Sequence, residues 1–99
     1  MEQRQSAILD LTDCKTLGEL HRRIKVALEF PDHYGENWSA FRDCMRFDTP
    51  VEYIKIVGEG TMPEWAGEHL RIMYEILQEC KEERARFGAP FDYEIVEDE

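Results

Sequence analysis

Ninety-nine residues allow one domain with one hydrophobic core, and a single domain over residues 1–99 is expected. A hydrophobic fraction of 42% with 11% aromatics is too rich for a disordered chain. Twenty-two acids against twelve Lys and Arg leave a net charge of −10, a field that disfavours direct nucleic-acid or anionic-membrane binding and speeds encounter with basic proteins.

In chain order, the start Met1-Glu2-Gln3-Arg4-Gln5 is polar and precedes no long apolar run, so no signal peptide is expected. No stretch approaches the ~20 apolar residues of a membrane span. Ser6 to Leu11 is a short apolar run compatible with a buried strand. Thr16-Leu17-Gly18-Glu19 has the form of a capping box, and Leu17, Leu20, Ile24, Ala27 and Leu28 recur at helical spacing, which predicts an amphipathic helix over 17–29. Phe30-Pro31 closes it. A second helix is predicted over about 38–46, with Asn37 as its cap, Trp38, Phe41 and Met45 on one stripe, and Cys44 turned inward.

Val51 to Val57 alternates and is rich in β-branched residues, the clearest strand in the chain. Gly58-Glu59-Gly60 ends it, and Thr61-Met62-Pro63-Glu64 repeats the capping-box form. From there a long helix is predicted to about Arg86, with Trp65, Ala66, Leu70, Met73, Ile76, Leu77 and Cys80 on its apolar face. Gly88 and Pro90 break the chain before a last strand over 91–96, and the acidic tail 97–99 is expected to fray. Strands separated by helices favour a parallel sheet with right-handed crossovers. The fold class is therefore α/β, a small three-stranded parallel sheet packed with helices on one or both faces.

Cys14, Cys44 and Cys80 are odd in number and far apart, with no Cys-x-x-Cys pair or Cys/His cluster. They read as reduced, mostly buried thiols of a cytoplasmic protein, and no zinc or other metal is expected. No nucleophile–base pair or phosphate loop is evident. Gly58-Glu59-Gly60-Thr61 lacks the lysine of a phosphate loop and is acidic, so catalysis is not expected.

Two features resist a purely structural reading. Glu75, Glu79 and Glu83 stack at four-residue spacing in the C-terminal half of the long helix, where like charges repel and the helix dipole prefers cations. Arg71 can offset Glu75 and Arg86 can offset Glu82, which leaves Glu79 and Glu83 with no partner on their own helix. Asp43 shares a side of the second helix with Ser39, away from the apolar stripe. A solvated acidic face accounts for the stripe as well as a surface kept for a basic partner does.

The run Pro31-Asp32-His33-Tyr34-Gly35-Glu36-Asn37-Trp38-Ser39-Ala40-Phe41-Arg42-Asp43-Cys44-Met45 resembles the barstar family, intracellular inhibitors of secreted barnase-type ribonucleases. The family pattern reads Pro-x-x-Tyr-Gly-x-Asn-Leu-Asp-Ala-Leu-Trp-Asp-Cys-Leu. Tyr34-Gly35-Glu36-Asn37 and Asp43-Cys44 match it identically, at a spacing that no generic helical turn demands. Gln78 to Glu83 resembles the family segment that adds acidic contacts. The resemblance implies a barstar-like fold, no cofactor, and a basic extracellular-type ribonuclease as protein partner of a free monomer, in the manner of an immunity protein or antitoxin. It also implies that Asp43 occupies a substrate phosphate site, since carboxylate and phosphate both accept charge-assisted bonds from Arg and Lys.

Residues expected at the interface are His33, Gly35, Asn37, Ser39, Arg42, Asp43, Glu79 and Glu83. Gly35 and Asn37 also have structural roles, as a backbone position needing freedom and as a cap. The family commonly has an aromatic residue where this chain has His33, an aspartate at Ser39, tryptophan at Arg42 and leucine at Trp38. A cation beside Asp43 makes the face less purely negative, so the partner need not be barnase itself. The rival reading is an acidic adaptor of the same fold that binds a basic protein other than a nuclease.

Overall fold

The computed structural model describes residues 5–96, so the polar start and the acidic tail lie outside the described residues, apart from Gln5. The chain runs β1 (Ser6–Asp10), α1 (Leu17–Ala27), α2 (Trp38–Phe47), β2 (Tyr53–Val57), a short 3-10 turn (Glu59–Thr61), α3 (Ala66–Arg86) and β3 (Asp92–Ile95). The strands form one parallel sheet in the order β1-β2-β3, the small α/β architecture expected from the sequence. Among the described residues no helix is long and apolar enough to cross a membrane.

Parallel register explains which residues are covered. Ala7 is level with Ile54 and Ile54 with Tyr93, while Leu9 is level with Ile56 and Ile56 with Ile95, so these side chains share one face. That face joins the core, with Leu20, Ile24, Phe41, Met45, Met73 and Leu77 packed from the three helices. The opposite row, Ile8, Lys55 and Glu94, is exposed, and Ile8 is 64% accessible. The first strand is therefore half-covered and not buried throughout. An apolar run reveals hydrophobicity but not how many faces its sheet will cover.

The helix starts differ in an instructive way. Thr16 Oγ1 accepts from the Glu19 amide at 3.0 Å, and Glu19 Oε1 accepts from the Lys15 amide at 3.2 Å, so the first capping box forms with its return bond one residue early. The second capping box does not form. Thr61 Oγ1 instead donates to Gly58 O at 2.8 Å and accepts from the Asp13 amide at 3.0 Å, tying the 3-10 turn to the segment after β1. The long helix begins five residues later, after Pro63, and Trp65 is its N-cap. Trp65 is 39% exposed and stands edge-on to His69, so it is not part of the apolar face predicted for it.

Gly58 is the position where backbone freedom is required. Its φ is +79°, and a Cβ there would lie 2.5 Å from the Thr12 backbone nitrogen. Gly58→Ala combines a left-handed residue with a clash against main chain and is expected to cost about 2–5 kcal/mol. Its urea midpoint, measured beside wild type, checks this.

Candidate functional site

The segment 31–47 is held from three sides. Asn37 caps α2, its Oδ1 accepting from the Ala40 amide at 2.8 Å while Nδ2 donates to Gly35 O at 3.2 Å. Gly35 does not supply the left-handed residue of this turn. That residue is Glu36, at φ +53°. A Cβ on Gly35 would sit 3.2 Å from Asn37 Nδ2, so glycine here serves close approach to the capping side chain. Along α2, Phe41 and Met45 are fully buried and Cys44 is buried beside them. Four-residue and three-residue spacing then carries Ser39, Arg42, Asp43 and Arg46 outward, where all four are exposed.

A polar chain inside the fold ties this segment to α1 and α3. His21 Nδ1 and the Tyr34 hydroxyl share a hydrogen bond of 2.7 Å, and the His21 ring packs 4.6 Å from Trp38. The Trp38 indole N–H donates to His69 Nδ1 at 3.2 Å. Tyr34 thus anchors the loop and Trp38 the helix start. Burial chiefly holds the His21 imidazole below its usual range, with Glu36 opposing and His69 adding to the shift. Burial likewise pushes the Tyr34 hydroxyl up.

A pH dependence follows from His21. Above the ordinary imidazole pKa of 6.5, His21 is neutral in both the folded and unfolded chain and contributes no slope. As pH falls below that value the unfolded chain takes up a proton that folded His21 resists, so stability is lost until the lowered folded pKa is passed. Urea unfolding between pH 7.5 and 5.5 is expected to show a larger loss for wild type than for His21→Gln. Equal losses would remove His21 from the account.

The acidic stripe on α3 has a different setting from the one its own helix suggests. Arg42 Nη2 lies 3.0 Å from Glu79 Oε2, and one turn on Arg46 pairs with Glu83. Both pairs step by four residues in the same sense, so α2 and α3 run side by side in parallel and lock their charges across the gap. Glu79 and Glu83 are therefore not an uncompensated stripe. The hydrogen bond to Glu83 raises the already high Arg46 pKa. Neither Arg71–Glu75 nor Arg86–Glu82 forms an ion pair among the described residues, and Glu82 Oε2 accepts from the Gln78 side-chain Nε2 at 3.0 Å. An open groove results, in which Arg42, Arg46 and Arg86 face Glu79, Glu82 and Glu83, with the exposed ring of Phe87 beside them.

Asp43 is exposed and has no hydrogen bond or ion pair among the described residues. It is the carboxylate of α2, and it faces solvent. His33, Gly35, Asn37 and Ser39 are exposed on the preceding loop and first turn. Arg46 was not among the residues singled out from the sequence. Its signal was present, since it follows Arg42 by four residues as Glu83 follows Glu79.

All three cysteines are free and buried, and burial raises each thiol, that of Cys80 to about 11.

The pattern described as "Barstar (barnase inhibitor)" matches residues 4–96. A protein of Bacillus subtilis (strain 168) named "Putative ribonuclease inhibitor YrdF" is 32% identical over 78 residues, covering 77% of this chain and 85% of that protein. The match spans the parallel sheet, the capped α2 and the paired α2–α3 surface, and the chain belongs to the barstar family.

Proposed function

We propose that this chain is an intracellular inhibitor of a basic, barnase-like ribonuclease, acting as an immunity protein for the cell that makes the enzyme. The observation that carries the reading is Asp43, exposed and unpaired on a helix that is capped, packed and held to two neighbours. A carboxylate held this way is ready to accept charge-assisted bonds from the cations of a phosphate-binding site at little ordering cost. His33, Gly35, Asn37 and Ser39 are exposed on the preceding loop and first turn, and Arg42, paired with Glu79, is the adjacent residue in the chain. Membership of the barstar family and the name of the Bacillus relative support the same reading. Inhibition is by occlusion. Glu79 and Glu83 each pair with a different arginine, which disfavours a carboxylate dyad of an enzyme. The net charge of −10 favours rapid capture of a basic enzyme, as a free monomer in the cytoplasm.

Co-expression tests the proposal. The wild-type chain is expected to rescue bacterial growth from at least one toxic ribonuclease in a panel of small basic enzymes of the barnase type. Failure against the whole panel, with the inhibitor present and folded, would sink the ribonuclease reading in favour of an adaptor.

A further inference from the structure

We propose that Arg42 and Arg46 are recognition residues that select a ribonuclease whose contact face sets carboxylates beside its cationic, phosphate-binding centre. This rests on the inhibitor reading and specifies its partner. The groove between α2 and α3 balances three arginines with three glutamates, although the chain as a whole carries −10. A uniformly basic face laid on it gains attraction at Asp43 but meets the guanidinium groups of Arg42 and Arg46, whose charge already offsets Glu79 and Glu83. Like-charge contact of this kind rejects partners more effectively than attraction chooses them.

The arginines are also prepared for contact. Arg42 is half-exposed and directs Nη2 to Glu79, while a guanidinium has five N–H donors. The carboxylate fixes the side chain and leaves the rest of the fork for an acceptor outside the chain. Arg46 repeats the arrangement on Glu83 one turn along. A planar, pre-oriented fork loses little freedom on binding and suits a bidentate carboxylate. Asp43 follows Arg42 directly in the chain, so the partner's pattern is the mirror image, with cations opposite Asp43 and carboxylates opposite the arginines. The exposed Phe87 ring supplies an apolar contact at the same groove.

The competing explanation makes the arginines local counter-ions that mask Glu79 and Glu83 until a basic enzyme displaces them. The two differ in the sign of one effect. The probe is the ribonuclease against which the wild-type chain protects in co-expression, in a catalytically inactive form, with association and dissociation measured separately. Arg42→Ala makes the chain more acidic, so its association is expected to match or modestly exceed wild type. Dissociation is expected to accelerate at least tenfold, and Arg42→Lys is expected to keep the association rate while still dissociating faster than wild type. Unchanged or tighter binding by Arg42→Ala overturns the proposal and establishes the mask. A wild-type chain that protects against no ribonuclease overturns the inhibitor reading, and this proposal with it.

Discussion

Asp43→Ala is expected to weaken protection from the cognate ribonuclease roughly thirtyfold or more while leaving the fold intact. The two halves of that expectation have separate causes. Asp43 has no hydrogen bond or ion pair among the described residues, and its side chain faces away from the stripe of Phe41, Cys44 and Met45. Truncation therefore removes no native hydrogen bond or ion pair, and stability should move by no more than about 0.5 kcal/mol, as for ordinary surface substitutions. At the proposed interface, the same change would leave the enzyme's phosphate-binding cations desolvated and unpaired. Truncating a hot spot costs at least ~2 kcal/mol, or roughly thirtyfold in affinity. The top of the measured range for such residues comes from an aspartate of barstar itself, so it is no independent forecast. Arg42 is the adjacent residue in the chain, and the Asp43 carboxylate interacts with the Arg46 charge. Both lower the local negative potential and place the expected loss nearer the bottom of that range. Inhibition titrations against a fixed amount of enzyme, paired with thermal melts, check both halves. An unchanged inhibition constant would remove Asp43 from the contact, and a lowered melting temperature would mark it as structural.

The elements were legible in the sequence because each is written by a local rule. Helical spacing and the Thr16 and Asn37 caps mark α1 and α2, and alternation marks β2. What escaped depends on contacts between distant segments. Thr61 has the spacing of a capping box, yet its hydroxyl is taken up by Gly58 and the segment after β1. Ile8 lies in an apolar run, but the sheet is packed on one face only. Arg84 is buried because it continues the apolar register of Met73, Leu77 and Cys80, with Nε on Ala89 O at 2.9 Å and its guanidinium 5.4 Å from the Phe91 ring centre. Its position gave a signal that its charge concealed.

The same distinction explains the candidate site. Asp43 was found because the motif around it is contiguous. The pairing of Glu79 and Glu83 was not, because their counter-ions lie 37 residues earlier on a helix whose neighbour is set by tertiary packing. Taken one helix at a time, Glu79 and Glu83 on α3 and Asp43 on α2 are three unpaired carboxylates, where the folded surface presents two ion pairs and a free Asp43. That difference underlies the proposal of a partner with a mixed contact face in place of a uniformly basic one.

The largest expected loss of stability belongs to Phe41→Ala, two residues before Asp43. Phe41 is fully buried and meets Trp38 edge-on at 5.5 Å and Phe30 at 5.9 Å between ring centres. It is thus the peg that seats α2 on the core between the loop and the Trp38–His69 bond. Removing such a ring forfeits its burial and opens a cavity that rigid neighbours fill only in part, at about 3–5 kcal/mol. A domain of this size has roughly 5–15 kcal/mol in total. At about 4–8 °C per kcal/mol the melting temperature should fall by about 12–40 °C. Protection should fail as well, but for a different reason. The Phe41 variant loses inhibitor through unfolding and should regain part of its activity at low temperature, where more of the chain is folded. The Asp43 variant stays folded and should regain nothing on cooling. Comparing the two inhibition titrations at 10 and 37 °C separates a residue that carries the contact from one that holds its helix, and a Phe41 variant melting within a few degrees of wild type would show that the core closes over the lost ring.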